Sequence, residues 1–375
     1  MSEDPYRSVV LDTAHWIKWI EESFSTDNVK RSRAQAFYSH LKSVGWLPLL
    51  NYHHVTELMC VGFNQARQRL NFITRLRQIY WTRSFNNRAM GRYEDIFIAE
   101  AMAMVHGAKT PGEIISMVKC DLVQKGKGSA MLGKTVAQLM INLHPQLELE
   151  VEKKRIVTAI AANHFVNPRL TVGSLKDRVV ASRESRERVH YQGIKNLEAH
   201  LRDKGDKRLK GHGSIARDFM GHPDVPHEAG SSALDAILPD YLDAGILLEE
   251  IHDDMTVEDL GDLAQFRMAL DIVMKATGTP YEVLQSAVDM KQCPHWIIHE
   301  QIRKNPAPSP RYPGSDLNDR QISALAAYAD MTLVDKRTYD AVGRAGSGLE
   351  MFADAIMKVP HYYDIPDALP KAITS

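Results

Sequence analysis

Two short apolar runs, each closed by an aspartate, stand near opposite ends of this 375-residue chain and constrain its fold more than anything between them. Ser8 to Leu11 reads SVVL and stops at Asp12; Met331 to Val334 reads MTLV and stops at Asp335. Short apolar runs bounded by polar residues and rich in Val read as strands buried on both faces, as parallel strands are. A third run, WLPLL at 46–50, follows a helical stretch from Thr13 to Phe24, with Trp16, Ile17, Trp19 and Ile20 at helical spacing, and a basic helix over about Val29 to Val44. Strand, helix, helix, strand is the opening of an α/β layer.

From Tyr52 onward the apolar spacing turns helical for a long distance. HHVTELMCVGFNQARQRLNFITRLRQI carries an Arg-rich opposite face with Arg67, Arg69, Arg75 and Arg77, and RYEDIFIAEAMAMVHG closes on Gly107. TPGEIISMVKCDLVQKGKG opens with Thr110 at the cap, Pro111 at the first helical position and Glu113 at the third, a capping-box start. Further helices are expected through VAQLMINL, EKKRIVTAIAANHF, ALDAILPDYLDAGILLEEI and EDLGDLAQFRMALDIVMKAT. The clearest linker is NPAPSPRYPGSD at 305–316, whose four prolines deny backbone donors and fix φ. After it DRQISALAAYA reads as a helix, MTLV as the last strand and DKRTYDAV as the start of another helix. The expectation is one discontinuous α/β domain, residues 1–62 and 312–375, split by a helical insertion over 63–311.

Hydrophobic residues make up 44% and charged residues 25%, ordinary for a globular chain, and no apolar run approaches the roughly 20 residues a membrane helix needs. MSEDPYRSVVLD lacks the basic start and apolar stretch of a secretory signal, and the three cysteines (Cys60, Cys120, Cys293) lack CxxC spacing, so a reduced, cytoplasmic setting is expected. The net charge of −1 excludes polyanion binding by bulk charge. Lys153 to Lys210, however, holds 15 Lys or Arg against 6 Asp or Glu, and could face phosphates or form a solvated helical face.

Four carboxylates share a placement. Asp12 and Asp335 end strands, Glu57 lies one to two turns into the helix after the second strand, and Asp319 opens the helix after the linker. In an open parallel sheet such positions converge on one crevice. Four carboxylates there would repel one another unless cations lay between them, and hard divalent ions with oxygen ligands, Mg²⁺ or Mn²⁺, suit them.

VVLDTAHWI, HHVTEL and DRQISALAAYADMTLVDKRTYD resemble the acidic motifs of PIN-domain metal-dependent nucleases, over roughly residues 7–62 and 315–345. The order of the motifs and the 16-residue step from Asp319 to Asp335 carry the resemblance. It implies a small Rossmann-like parallel sheet with helices and a site in which Asp12, Glu57, Asp319 and Asp335 bind one or two Mg²⁺ or Mn²⁺, with Asp316 and Asp330 as auxiliaries. Thr13 matches the small polar residue that often follows the first aspartate, and Lys336 and Arg337 would hold a phosphate. The implied reaction is endonucleolytic hydrolysis by metal-activated water, on RNA in preference to DNA, as in toxins or antiphage effectors. A regulatory protein partner and a homo-oligomer are expected, and no membrane association. Asp95 and Glu100, in EDIFIAEAMAM, imitate the third acidic motif, but no short strand ending in Asp follows them, which leaves Asp319 as the better choice.

Two other readings come from different classes. One is a binding scaffold that has lost catalysis. The other is a nucleotide enzyme, because GSAMLGKT at 128–135 satisfies the P-loop expression, with Lys134 as its lysine. Against the latter, Met131 and Leu132 are bulky for such a loop, and an inter-helix turn is the plainer expectation. Cys293, His295 and His299 have zinc-like spacing without an obvious fourth ligand, and read as helix-face residues.

Overall fold

The computed structural model describes residues 5–86, 89–161, 167–179, 183–221, 232–306 and 315–370. The three expected strands form as β1 (Arg7–Val10), β2 (Trp46–Leu50) and, near the C-terminus, Met331–Leu333. The first two are joined through α1 (Thr13–Ser23) and α2 (Asn28–Ser43).

Beyond β2 the structure departs from the expected helical run. The helix breaks at Cys60–Gly62 into α3 (Tyr52–Met59) and α4 (Phe63–Thr74), and the chain returns to the sheet as β3 (Ile79–Thr82). After α5 (Tyr93–Val105) and α6 (Pro111–Leu122), whose Thr110–Glu113 capping box forms as read, VQKG extends as β4 (Val123–Gly126) instead of continuing the helix. Then come α7 (Gly128–Met131), α8 (Val136–Asn142), α9 (His144–Ala161), α10 (Val172–Lys176), α11 (Arg183–Lys204), α12 (His212–Met220), α13 (Ala233–Asp243), α14 (Val257–Thr277), α15 (Tyr281–Ala287) and α16 (Pro294–Lys304). Most of the proline-rich linker lies outside the described residues. The chain closes with α17 (Ser315–Ser323), β5 (Met331–Leu333), α18 (Lys336–Ala345) and a two-residue β6 (Ile356–Met357).

The six strands lie in the order β4-β3-β2-β1-β5-β6, all neighbours parallel except β3 and β4. β1 pairs with β2 on one side and with β5 on the other, Val9 opposite Met331 and Val10 opposite Thr332. Both faces are covered: Val9, Leu11, Leu50 and Leu333 pack with Trp16, Trp19 and Phe37, while the alternate residues Val10, Leu47 and Leu49 are also fully buried. Trp19 is the hub on the first side, edge-on to Phe37 and Phe72, and its Nε1–H donates to the Ala34 carbonyl.

The chain divides into two compact units, the first of residues 1–151, 286–308 and 317–375, the second of 152–285 and 309–316. The sheet unit therefore extends well past residue 62, the expected exit, because β3, β4 and the helices through α8 pack into its core, with Ile79, Trp81, Met131 and Met140 buried there. The second unit is helical, with small cores at Ala159, Leu197, Leu201, Leu209 and Ala216 and at Val172, Leu175, Leu234 and Leu260. Among the described residues no helix is long and apolar enough to cross a membrane.

Candidate functional site

The strand order reverses direction at β1: the chain moves outward through β2 and β3, then returns to the other side of β1 as β5. Such a switch point leaves a crevice at the carboxyl ends of the two adjoining strands. Asp12 follows β1 and Asp335 follows β5, and both reach that crevice as helix N-caps. Asp12 accepts from Ala14 N at 3.4 Å, and Asp335 from Thr338 N at 2.7 Å. The amino ends of α1 and α18, with their exposed N–H groups and positive dipole ends, thus start just beyond the carboxyl ends of adjacent strands, each capped by one of the two carboxylates.

Burial pushes the Asp12 carboxyl above its ordinary range; the Asp335 charge pushes the same way, against the opposing pull of His15 and the α1 backbone amides. The two side chains are thus near enough to repel. Asp319, on α17, joins them through a cation: the Arg337 guanidinium lies 3.2 Å from Asp335 Oδ2 and 3.7 Å from Asp319 Oδ2. Sequence alone assigned Arg337 to a phosphate; here it lies between two of the four acids. Lys336 is exposed at the first position of α18. Basic residues oppose the dipole at this end of a helix, so the pair Lys336–Arg337 is not there for helix stability.

Glu57 is half-buried on α3, one turn beyond His54. The neutral His54 ring donates from Nε2 to the Leu11 carbonyl at 3.0 Å and accepts at Nδ1 from Asn51 N at 3.2 Å. Full burial lowers its pKa to about 4. The helix face bearing Glu57 is thereby fixed to the end of β1, immediately before Asp12. Thr13 is buried, and its hydroxyl meets no hydrogen-bond partner among the described residues. The same holds for Nδ1 of His15, whose Nε2 bonds the Val359 carbonyl at 2.8 Å. His15 was not singled out in the sequence, although its position three residues after Asp12, on the same turn of α1, was the available signal.

The remaining candidates stand apart. Asp330 precedes β5 and so lies at the opposite end of that strand from Asp335; it accepts from Ser8 N at 2.7 Å and Ser8 Oγ at 2.9 Å and pairs with Lys119 at 2.9 Å. Those contacts tie β5 to the start of β1. The Asp316 side chain lies outside the described residues. Asp95 holds its own loop, accepting from Ser84 Oγ, Phe85 N and Arg92 N. Glu100 is fully buried between His295, which it meets through both N and Nδ1, and the Tyr328 hydroxyl, linking α5 and α16 to the turn before β5.

The zinc-like trio is dispersed in the same way. Cys293 is buried at the cap of α16, His295 serves Glu100 and His299 serves Glu300. The P-loop expression has packing reasons instead. A side chain on Gly128 would meet the Ile73 carbonyl at 2.0 Å, Gly133 holds the left-handed turn (φ +63°) before α8, and Met131 and Leu132 are core residues. Its amides are already bonded: Gly128 N to Leu76 O, Ala130 and Met131 N to Lys127 O, Gly133 N to Ala130 O. No phosphate cradle is left.

Among the described residues no three His, Cys, Asp or Glu side chains stand close enough together to hold a metal ion as a ready-made set. What the crevice does offer is a half-buried carboxylate, Asp12, repelled by a second, with the unpartnered Thr13 hydroxyl beside it. That donor set fits Mg²⁺ or Mn²⁺, which take one or two carboxylates and keep several waters. No known protein family, curated protein or solved structure matches this chain.

Proposed function

We propose that the crevice between β1 and β5 is the active site of a divalent-metal-dependent phosphodiesterase, an endonuclease acting on RNA in preference to DNA. The observation that supports this reading is the placement of Asp12 and Asp335 just beyond the carboxyl ends of the adjacent parallel strands β1 and β5, at the switch point of the sheet. Asp12 and Asp335 would hold the ion, with Glu57 and Asp319 completing its surroundings as the crevice closes on substrate. A bound ion would supply an activated water and offset charge on the phosphate. The amino ends of α1 and α18 would orient the phosphate, and Lys336, free in solvent, would steer it in. Arg337 neutralises Asp319 and Asp335 until the cation and substrate enter. The preference for RNA, and a role as a toxin or antiphage effector, rest on the resemblance of the acidic motifs to PIN-domain nucleases.

The test is cleavage of labelled RNA and DNA by wild type, Asp12→Asn, Glu57→Gln and Asp335→Asn in Mn²⁺. Loss of cleavage in all three variants is the expected result, and equal cleavage by all four proteins would dismiss the assignment. The scattered acids favour a second reading, a scaffold that retains the fold without catalysis. Calorimetric titration with Mn²⁺ separates the two, since a scaffold of that kind would take up none.

A further inference from the structure

At the amino ends of the same strands, the far side of the sheet from the acidic crevice, a groove of about 610 Å³ runs between α2, the segment before β1 and the turn before β3. Its lining includes Tyr6, Tyr38, Lys42, Arg75 and Arg77 and, among the described residues, no carboxylate. Lys42 Nζ sits 5.5 Å from the centre of the Tyr6 ring, and Lys125 Nζ, from β4, 4.7 Å from it. An aromatic ring holds ammonium groups in place without cancelling their charge, as a carboxylate would. The main chain at Tyr6 is anchored, because the Tyr80 hydroxyl donates to the Tyr6 carbonyl at 2.8 Å. Tyr38 is anchored twice at Gln78, donating to its carbonyl at 2.7 Å and accepting from its N–H at 3.1 Å. Arg75 and Arg77 are exposed on the rim, and neither has an ion-pair partner among the described residues. Two guanidiniums alternate along an extended turn beside two held ammoniums. The net charge of the whole chain is only −1, so the positive charge that Arg75 and Arg77 place on this rim is local.

We propose that this groove is a second binding site, for the phosphate backbone of single-stranded RNA, separate from the acidic crevice. Guanidiniums clamp phosphates bidentately, and the half-buried Tyr38 ring gives a base something to stack on. The Ser39 hydroxyl, exposed on the groove lip, suits a ribose 2′-OH. The choice of a polynucleotide rests on the nuclease reading above. A strand of four residues separates the two sites by roughly 15 Å, a distance a short single strand spans, so the groove would hold the part of a substrate that flanks the cut.

The experiment is fluorescence anisotropy with a fluorescein-labelled 15-nucleotide oligouridine and the full chain in EDTA, where no cleavage is possible. Arg75→Ala/Arg77→Ala is expected to bind on the order of tenfold more weakly, with the slope of log affinity against log salt falling by about 1.4, the loss of two phosphate contacts on a single strand. Arg75→Lys/Arg77→Lys keeps the charge and should stay within about threefold of wild type. Because binding is read in EDTA and needs no cleavage, failure of the nuclease reading leaves this result standing. Unchanged affinity and slope in the alanine double variant overturn the proposal. So does binding that instead depends on Lys195→Ala/Lys204→Ala of α11, or tighter binding of oligothymidine than of oligouridine.

Discussion

Asp335 does two jobs that a pair of substitutions can pull apart. Its Oδ1 caps α18 through Thr338 N at 2.7 Å, while its charge faces Asp12 and Arg337. Asparagine caps as well as aspartate does, whereas alanine forfeits typically ~1 kcal/mol of cap energy. The contact with Arg337 adds little, because that guanidinium is 40% exposed and screened by solvent. Asp335→Asn should therefore match or exceed wild-type stability, since it also relieves the repulsion on Asp12. Asp335→Ala should be less stable by about 1 kcal/mol, a fall of about 2–4 °C in Tm for a unit of this size. Tryptophan fluorescence is the natural assay: Trp16, Trp19, Trp46, Trp81 and Trp296 all belong to the sheet unit. Mn²⁺ titration supplies the other half, with wild type expected to bind the ion and both variants expected to lose that binding. If Asp335→Asn bound Mn²⁺ like wild type, the residue would be a helix cap and nothing more, and the metal-site argument would fail at its strongest point.

Other outcomes follow from the same geometry. His54 is buried neutral with a pKa of about 4, so the unfolded chain binds its proton first; stability should fall by about 3 kcal/mol as pH drops from 6.5 towards 4 and be fully present above 6.5. Urea titrations at pH 7.5 and 4.5 check this, and a His54→Asn variant that kept the wild-type pH slope would contradict it. Burial raises Glu300, yet hydrogen bonds from His299 and Arg303 hold it down at about 2, so its contribution is complete above its ordinary value and vanishes as pH falls through about 2. Replacing it with glutamine should flatten acid unfolding below pH 4.5. Lys134→Ala should leave the thermal response to MgATP identical to wild type, and any nucleotide-dependent stabilisation abolished by it would reopen the P-loop reading. Trp19→Ala, which empties the hub of the first core, should cost about 3–5 kcal/mol in urea unfolding.

The strands legible in the sequence are those whose burial is written into consecutive residues. SVVL, WLPLL and MTLV are almost wholly apolar, Ser8 and Thr332 apart, because parallel central strands are covered on both faces. β3 escaped because IYWT continues an apolar rhythm already running through α4, and a four-residue strand cannot announce a change of period. β4 escaped because VQKG is an antiparallel edge strand, half-buried throughout, with no apolar pattern to show. The same asymmetry governs the acids. Asp12 and Asp335 could be read because they follow strands whose direction the βα order fixes. Asp330, five residues before Asp335, reads from sequence as an auxiliary to the same site, but β5 lies between them and carries it to the opposite end of the strand. Arg337 was noticed for its charge, but whether it would face a phosphate or a carboxylate depends on α17, whose approach no local pattern encodes.

The strand order bears on how the molecule is made. β5 occupies an interior place in the sheet, between β1 and β6, yet it is translated almost last. Until residue 333 leaves the ribosome, β1 has a bare edge and the pocket that Asp12 faces lacks a wall. A chain cut short by premature termination or proteolysis anywhere in the long middle would carry Asp12 without Asp335, and so only half of the proposed site. On the nuclease reading proposed above, such an arrangement would keep every unfinished copy harmless to the cell that is synthesising it.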